Sequence, residues 1–284
     1  MNWIILVFIS ALVNSVARIL QKVLLKDKDS DPFAFSFVFQ ISVAFLFLVY
    51  ALCTHSLNIP NLSGLSINLI IMALAYSLGN LFIFKAFKIA EASEISIIFA
   101  STTIWTVLFA IGFLKENITL NKIIGVIFVV LGIVAINYSK TKWKINKGHL
   151  FVLLGALLIG IGFVNDAFVL NSFQSVSSYM MIAFAVPGVI TLFYSPKSIK
   201  NISFYLNKKT LSNLLVCSFF YALSTITIFE AYKRGGQASV ISPISQTSII
   251  FTVIFGYFFL KEKDKLPNKI IGAILAFVGV LFLI

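Results

Sequence analysis

The chain has 284 residues, 60% of them hydrophobic and only 11% charged, with a mean hydropathy of +1.01; soluble proteins hold roughly 45–50% apolar and about 25% charged residues. That balance excludes a soluble domain and points to an integral membrane protein. The net charge of +12 comes from lysines scattered through short hydrophilic gaps, not gathered on one face, which argues against a nucleic-acid-binding surface.

A bilayer core about 30 Å thick needs roughly 20 apolar residues per helix. Runs of that kind fall at 3–24, 32–53, 65–87, 93–114, 120–138, 149–171, 176–194, 210–232, 237–260 and 267–284, so the predicted fold class is all-α with ten transmembrane helices. The first run follows Met1-Asn2-Trp3 with no basic n-region, and is expected to be retained. It contains Asn14 and Arg18; the arginine is expected to snorkel to lipid headgroups. In the third run Tyr76 and Asn80 stand one helical turn apart on a shared face. The fourth is rich in small polar residues and includes Ser96 and Trp105.

In the sixth run Asp166 is too short to snorkel far, so its ionised form needs a partner or water; it is the first candidate for protonation or for holding a cationic group. Arg18 and Asp166 fall on opposite sides of the midplane, roughly 15 Å apart by helical rise, and no salt bridge is expected between them. Pro187 in the seventh run and Pro243 in the ninth should bend their helices. Tyr221 and Thr225 in the eighth repeat the Tyr76–Asn80 spacing, and Ser245 and Gln246 lie in the polar ninth. Buried polar groups inside a bilayer face protein or a solvated cavity, so Asn14, Tyr76, Asn80, Ser96, Trp105, Asp166, Tyr221, Thr225, Ser245 and Gln246 are the candidate substrate-binding residues. Serine and threonine hydroxyls also serve as glue between membrane helices.

Metal or acid–base chemistry needs clustered His, Cys, Asp or Glu. Here His55 lies in a predicted gap and His149 at the edge of one, Cys53 and Cys217 have no CxxC spacing, and Asp166 has no acidic neighbour in sequence. No cofactor, metal or enzymatic activity is expected. ATP drive is not expected either, since no GxxxxGK[ST] stretch exists and no loop could house a nucleotide domain.

The chain repeats itself. Phe113-Leu-Lys-Glu116 recurs as Phe259-Leu-Lys-Glu262, and Asn121-Lys-Ile-Ile-Gly125 as Asn268-Lys-Ile-Ile-Gly272, with Ala92-Ser93 answering Ala238-Ser239 upstream. Five predicted helices are therefore duplicated, dividing the chain into units 1–141 and 142–284. An odd number of spans per unit makes the second copy enter from the opposite side, so the repeats should be inverted. Alternate gaps collect about 18 basic residues on one side and about 4 on the other. Lysine-rich loops are cytoplasmic, which puts both termini outside a cell membrane. Glu116 and Glu262 are expected to be solvated hairpin ends, and Lys122 and Lys269 interfacial anchors.

On Ala92-Ser93 through Glu116 with Asn121–Gly125, and on the matching stretch from Ala238 to Gly272, the sequence resembles the EamA family of the drug/metabolite transporter superfamily. The resemblance implies ten spans in two five-helix repeats, a glutamate gating element after spans four and nine, and cytoplasmic termini, the reverse of the charge reading. The implied function is a secondary active transporter, an exporter or exchanger, moving a small organic solute such as an amino acid or metabolite by alternating access to a central cavity. Proton coupling and a monomer or homodimer embedded in membrane lipids, without nucleic acid, complete the expectation. A lipid or lipid-linked metabolite flippase and a non-transporting membrane subunit are the alternatives.

Overall fold

The computed structural model describes residues 3–114, 119–137 and 146–283, and every regular element among them is helical. The helices are α1 (Trp3–Leu25), α2 (Pro32–Cys53), α3 (Ser66–Ile89), α4 (Ala92–Phe99), α5 (Ser101–Leu114), α6 (Leu120–Asn137), α7 (Lys147–Val169), α8 (Val176–Tyr194), α9 (Ile202–Leu206), α10 (Lys208–Lys233), α11 (Ala238–Ser245), α12 (Ser248–Leu260) and α13 (Leu266–Leu283). Short polar gaps set their starts. Asp31 accepts from the amides of Phe33 and Ala34, with Pro32 in the first turn. Asn146, Ser175 and Asn207 cap α7, α8 and α10 in the same way.

Seven helical segments among the described residues are long and apolar enough to cross a membrane, and three shorter apolar helices accompany them. Phe113, Ile67, Phe193 and Phe259, each more than 70% exposed, would face lipid. The chain is thus a multi-pass membrane protein.

Helices from the two halves interleave. α3 packs on α7 as α10 packs on α1, and α5 on α7 as α12 on α1. Two further pairs join corresponding helices directly, α2 with α8 and α6 with α13, and both run antiparallel. Phe47 stacks near Phe184 while Ser36 lies near Thr191. In the other pair Gly132 faces Gly272 and Gly279 faces Gly125. A Cβ on Gly132 would stand 2.7 Å from the Gly272 carbonyl oxygen, and one on Gly279 would stand 2.6 Å from that of Gly125. Only glycine admits so close a backbone approach.

The fourth and ninth apolar runs, which read as continuous helices, are each interrupted. α4 and α5 meet at Ala100, and α11 and α12 at Gln246-Thr247, so the breaks lie 146 positions apart, like Glu116 and Glu262. At both points the backbone tightens to i→i+3 bonds, Thr103 N to Ala100 O at 3.0 Å and Thr247 N to Ile244 O at 3.1 Å. Proline does not explain the first break, where none is near. Both breaks instead run into low-propensity hydroxyl residues, Ser101-Thr102-Thr103 and Thr247-Ser248. Pro243, Ser239 and Ser242 have side chains outside the described residues, as does Lys122; Lys115 and Glu116 lie outside them entirely.

Candidate functional site

The interleaving leaves space along the middle of the bundle. A cavity there holds about 690 Å³ free of protein atoms, mouth included, of which about 80 Å³ admits the centre of a water-sized sphere. A second lobe of similar accessible volume continues from it, and Asn14, Arg18, Tyr76, Asn80 and Tyr221 line both. A site needs roughly 10–15 Å³ by this measure to hold one water, so each lobe has room for several.

The two same-face pairs, Tyr76 with Asn80 and Tyr221 with Thr225, converge on the cavity from α3 and α10. Asn14, Asp166, Ser245 and Gln246 join them there. Thr225 also bonds back to the Tyr221 carbonyl at 2.9 Å, the packing role open to any membrane threonine. Ser96 does not line the cavity itself but lies behind it, 3.5 Å from an Arg18 nitrogen. Trp105 stands apart, half-buried, its Cβ 2.7 Å from where a side chain on Gly160 would begin and its ring stacked with Phe109.

Asp166 is fully buried and accepts a hydrogen bond on each carboxylate oxygen, from the hydroxyls of Tyr76 and Tyr179. Gly162, one turn earlier, makes room for the first of these: a Cβ there would lie 2.8 Å from Tyr76 Cζ. The neighbouring Asn165 exchanges bonds with Asn68 at 2.8 and 3.1 Å, fixing α7 to the start of α3. Asn80 donates to Gln40 at 3.2 Å, and Gln40 in turn to Ser36 at 2.9 Å, so its amide is held from α2.

Arg18 departs from the snorkelling expectation. It is 7% exposed, lines the cavity and lies over the Phe99 ring, 4.4 Å from its centroid. The interleaved α3 and α4 cover the route to headgroups, and a helical side chain leans toward its N-terminal turn, here toward Asn14.

One end of the bundle carries a charge network that the sequence placed in solvent. Glu262 is buried and its carboxylate accepts from the amides of Ala92 at 2.7 Å and Ser93 at 3.1 Å, and from the Ser93 hydroxyl. It therefore caps α4 from a sequence distance of 170 residues, where the helix dipole favours an anion. Lys269 is buried against Glu91 and is no interfacial anchor. His149, expected at the edge of a gap, is buried in the first turn of α7 with its Nε2 3.2 Å from Glu94. Lys22 donates to the Phe87 and Ala90 carbonyls at 2.8 and 2.6 Å, closing the C-terminus of α3. Burial holds the Glu91 carboxyl above the usual carboxylate range, with Lys269 opposing it. Tyr179, Gln40 and this network were missed because each depends on which helices become neighbours. The described residues contain no group of three or more His, Cys, Asp or Glu placed to hold a metal.

Comparison with known proteins agrees with this architecture. The model of the EamA-like transporter family matches residues 1–138 and again 146–284. An uncharacterized transporter of Clostridium kluyveri is 27% identical over 143 residues, 49% of this chain and 44% of that protein; the matched stretch thus spans less than half of the relative. A protein of known crystal structure superposes with a TM-score of 0.63 over 99% of this chain and 95% of its own, at 12% identity, a likeness of fold alone.

Proposed function

The chain belongs to the EamA-like transporter family, and from that premise we propose that it is a secondary active transporter which exports or exchanges a small organic solute. In this reading it crosses the membrane ten times as two inverted five-helix units, 1–141 and 142–284. The antiparallel seams between corresponding helices support the inversion. Both termini lie outside, on the strength of the lysine bias. The solute occupies the central cavity, and access alternates between its two ends.

The observation that carries the proposal is the cavity itself, large enough for solvent and walled by matched polar faces of both units, Tyr76 and Asn80 opposite Tyr221 and Thr225. A structural subunit has no need to keep Asn, Gln, Asp and Arg around a void inside a bilayer, where each is costly to bury. The helix breaks support the same reading, since interrupted spans commonly border transporter binding sites.

Asp166 is the proposed protonation site, because its carboxylate is buried at the cavity wall with only tyrosine hydroxyls as hydrogen-bond donors among the described residues. The test is counterflow and pH-gradient-driven flux in proteoliposomes. Asp166→Asn should insert normally, retain counterflow and lose its response to the proton gradient; unchanged gradient-driven flux would reject the coupling role. A C-terminal reporter active only in the cytoplasm should stay silent, and strong activity would reverse the orientation.

A further inference from the structure

We propose that Arg18 determines specificity by binding a carboxylate of the transported solute, which makes the substrates carboxylic acids with an N–H donor close by. The proposal rests on the transport reading and adds the chemical group that is recognised.

Other buried or half-buried cations are neutralised or solvated by the protein. Lys22 has two carbonyls, Lys269 has Glu91, and Lys88 has the Ser30 carbonyl. Arg18 is different. Among the described residues it forms no ion pair, and its contacts are the long bond to Ser96 and the face of Phe99. A guanidinium stays charged under all ordinary conditions and presents five N–H donors in a planar fork. One contact at 3.5 Å leaves most of those donors unused, in a site where an uncompensated charge is strongly disfavoured. The fork instead faces a cavity, and its geometry matches the two oxygens of a carboxylate.

The neighbours narrow the anion. Asn14, Asn80, Gln246 and Tyr221 are neutral, and Asp166, the carboxylic acid on the cavity wall, already accepts from Tyr76 and Tyr179, so the guanidinium is left to meet one carboxylate of the solute, whereas a phosphate dianion would bring a second negative charge with nothing to meet it. Asn14 is one turn before Arg18 on the same face of α1, and its Oδ1 is buried with no hydrogen-bond partner among the described residues. An acceptor left open one turn from a cation suits a solute whose amino or amide nitrogen is a few atoms from its carboxylate.

The experiment compares acids with their own carboxamides, which keep the shape and remove the charge. Purified protein is screened by thermal shift, and proteoliposomes by counterflow, with L-amino acids and short monocarboxylates each beside its amide, and with glycerol 3-phosphate. Acids should act at concentrations about tenfold or more below their amides, and Arg18→Gln should erase that preference while Arg18→Lys retains part of it. If Arg18 only packs on Phe99, Arg18→Met will lower the melting temperature and leave the preference intact, which overturns the proposal. Amides equal to acids in the wild-type protein, or a phosphate ester ahead of both, also overturn it without any variant. Counterflow of uncharged solutes alone would sink the role of Arg18 and leave transport standing; no counterflow of any solute would sink the transport reading itself.

Discussion

The two ends of the cavity are built from the same repeated text and differ in kind. At the end where α3 meets α4, an apolar layer containing Ala86, Ile95, Ile98 and Val152 is covered by charges: Glu262 on the α4 amides, Lys269 with Glu91, His149 with Glu94. At the end where α10 meets α11, the corresponding layer of Leu6, Ala231, Ile241 and Ile244 forms its own cluster with Trp3 and Val240. Where the first end has Lys22, Glu91, Glu94 and His149, the second has Phe168, Gln237, Val240 and Trp3, by the 146-residue repeat. Duplication supplied the apolar layer twice, and among the described residues substitution left the charges of these four positions at one end alone; Glu116 and the Lys122 side chain, which repeat Glu262 and Lys269, lie outside them. The lesson is energetic. In the proposed cycle, opening the apolar end would expose surface with a smooth, area-proportional cost, whereas opening the charged end would separate specific donors from specific acceptors.

The charged end depends most on Glu262. Glu262→Ala removes the acceptor for two backbone amides and a hydroxyl, all buried, and should cost about 3 kcal/mol. The loss can be read as earlier labelling of the buried Cys217 thiol by a maleimide dye during heating, in a Cys53→Ala background. The milder Glu262→Gln should keep the fold while loosening that end. Gln21 is 3% exposed and lines the cavity lobe adjoining the charged end, so Gln21→Cys in a background of Cys53→Ala and Cys217→Ser reports opening. If Glu262→Gln weakens closure by about 1.4 kcal/mol, the open population rises about tenfold, and labelling by an impermeant thiol reagent from the lysine-rich face should quicken to match. Unchanged labelling would mean that Glu262 holds α4 without holding the end shut.

The helices, their limits and the duplication were legible in the sequence because each is local: apolar run length, punctuating charge and repeated words need no tertiary knowledge. Tyr76, Asn80, Tyr221 and Thr225 were legible as cavity residues for a related reason, since helical spacing alone puts each pair on one face. The fate of single charges was not. Arg18 and Glu262 read as headgroup and solvent residues by distance from the span centre, a rule that holds for a helix alone in lipid. Interleaving replaces lipid by protein on those faces, turning one residue into a cavity wall and the other into a cap for a helix 170 positions away. The breaks at Ala100 and Gln246 escaped because hydrophobic run length counts residues and is blind to the hydrogen-bond pattern within them.

The Lys269–Glu91 pair contributes to the charged end on a smaller scale. Its lysine side chain is 1% exposed and its glutamate 33%, so Lys269→Met leaves a partly hydrated carboxylate and not a fully buried one. The expected cost is about 1–2 kcal/mol. Glu91→Gln together with Lys269→Met should recover part of it, because the lone charge is then gone. A double-mutant cycle on the melting temperature gives the coupling, and strict additivity would show that the pair only shares a neighbourhood.

The smallest effect belongs to the opposite end. Gln237 occupies the Glu91 position of the second repeat and is exposed, so Gln237→Ala should change stability by no more than about 0.5 kcal/mol and leave Gln21→Cys labelling untouched. This near-silence is as informative as the large losses. If symmetry of sequence meant symmetry of energetics, equivalent positions would respond alike, and Gln237→Ala would match the cost of removing Glu91. A response of that size would place a second polar latch at the α10–α11 end. A response near zero leaves the apolar cluster around Trp3 and Ile241 as the barrier that the described residues supply at that end, and in that case transport would cycle between one barrier set by ion pairing and one set by burial. Ionic strength and temperature would then act on the two barriers differently, since salt screens the partly exposed pair and heating changes the apolar term.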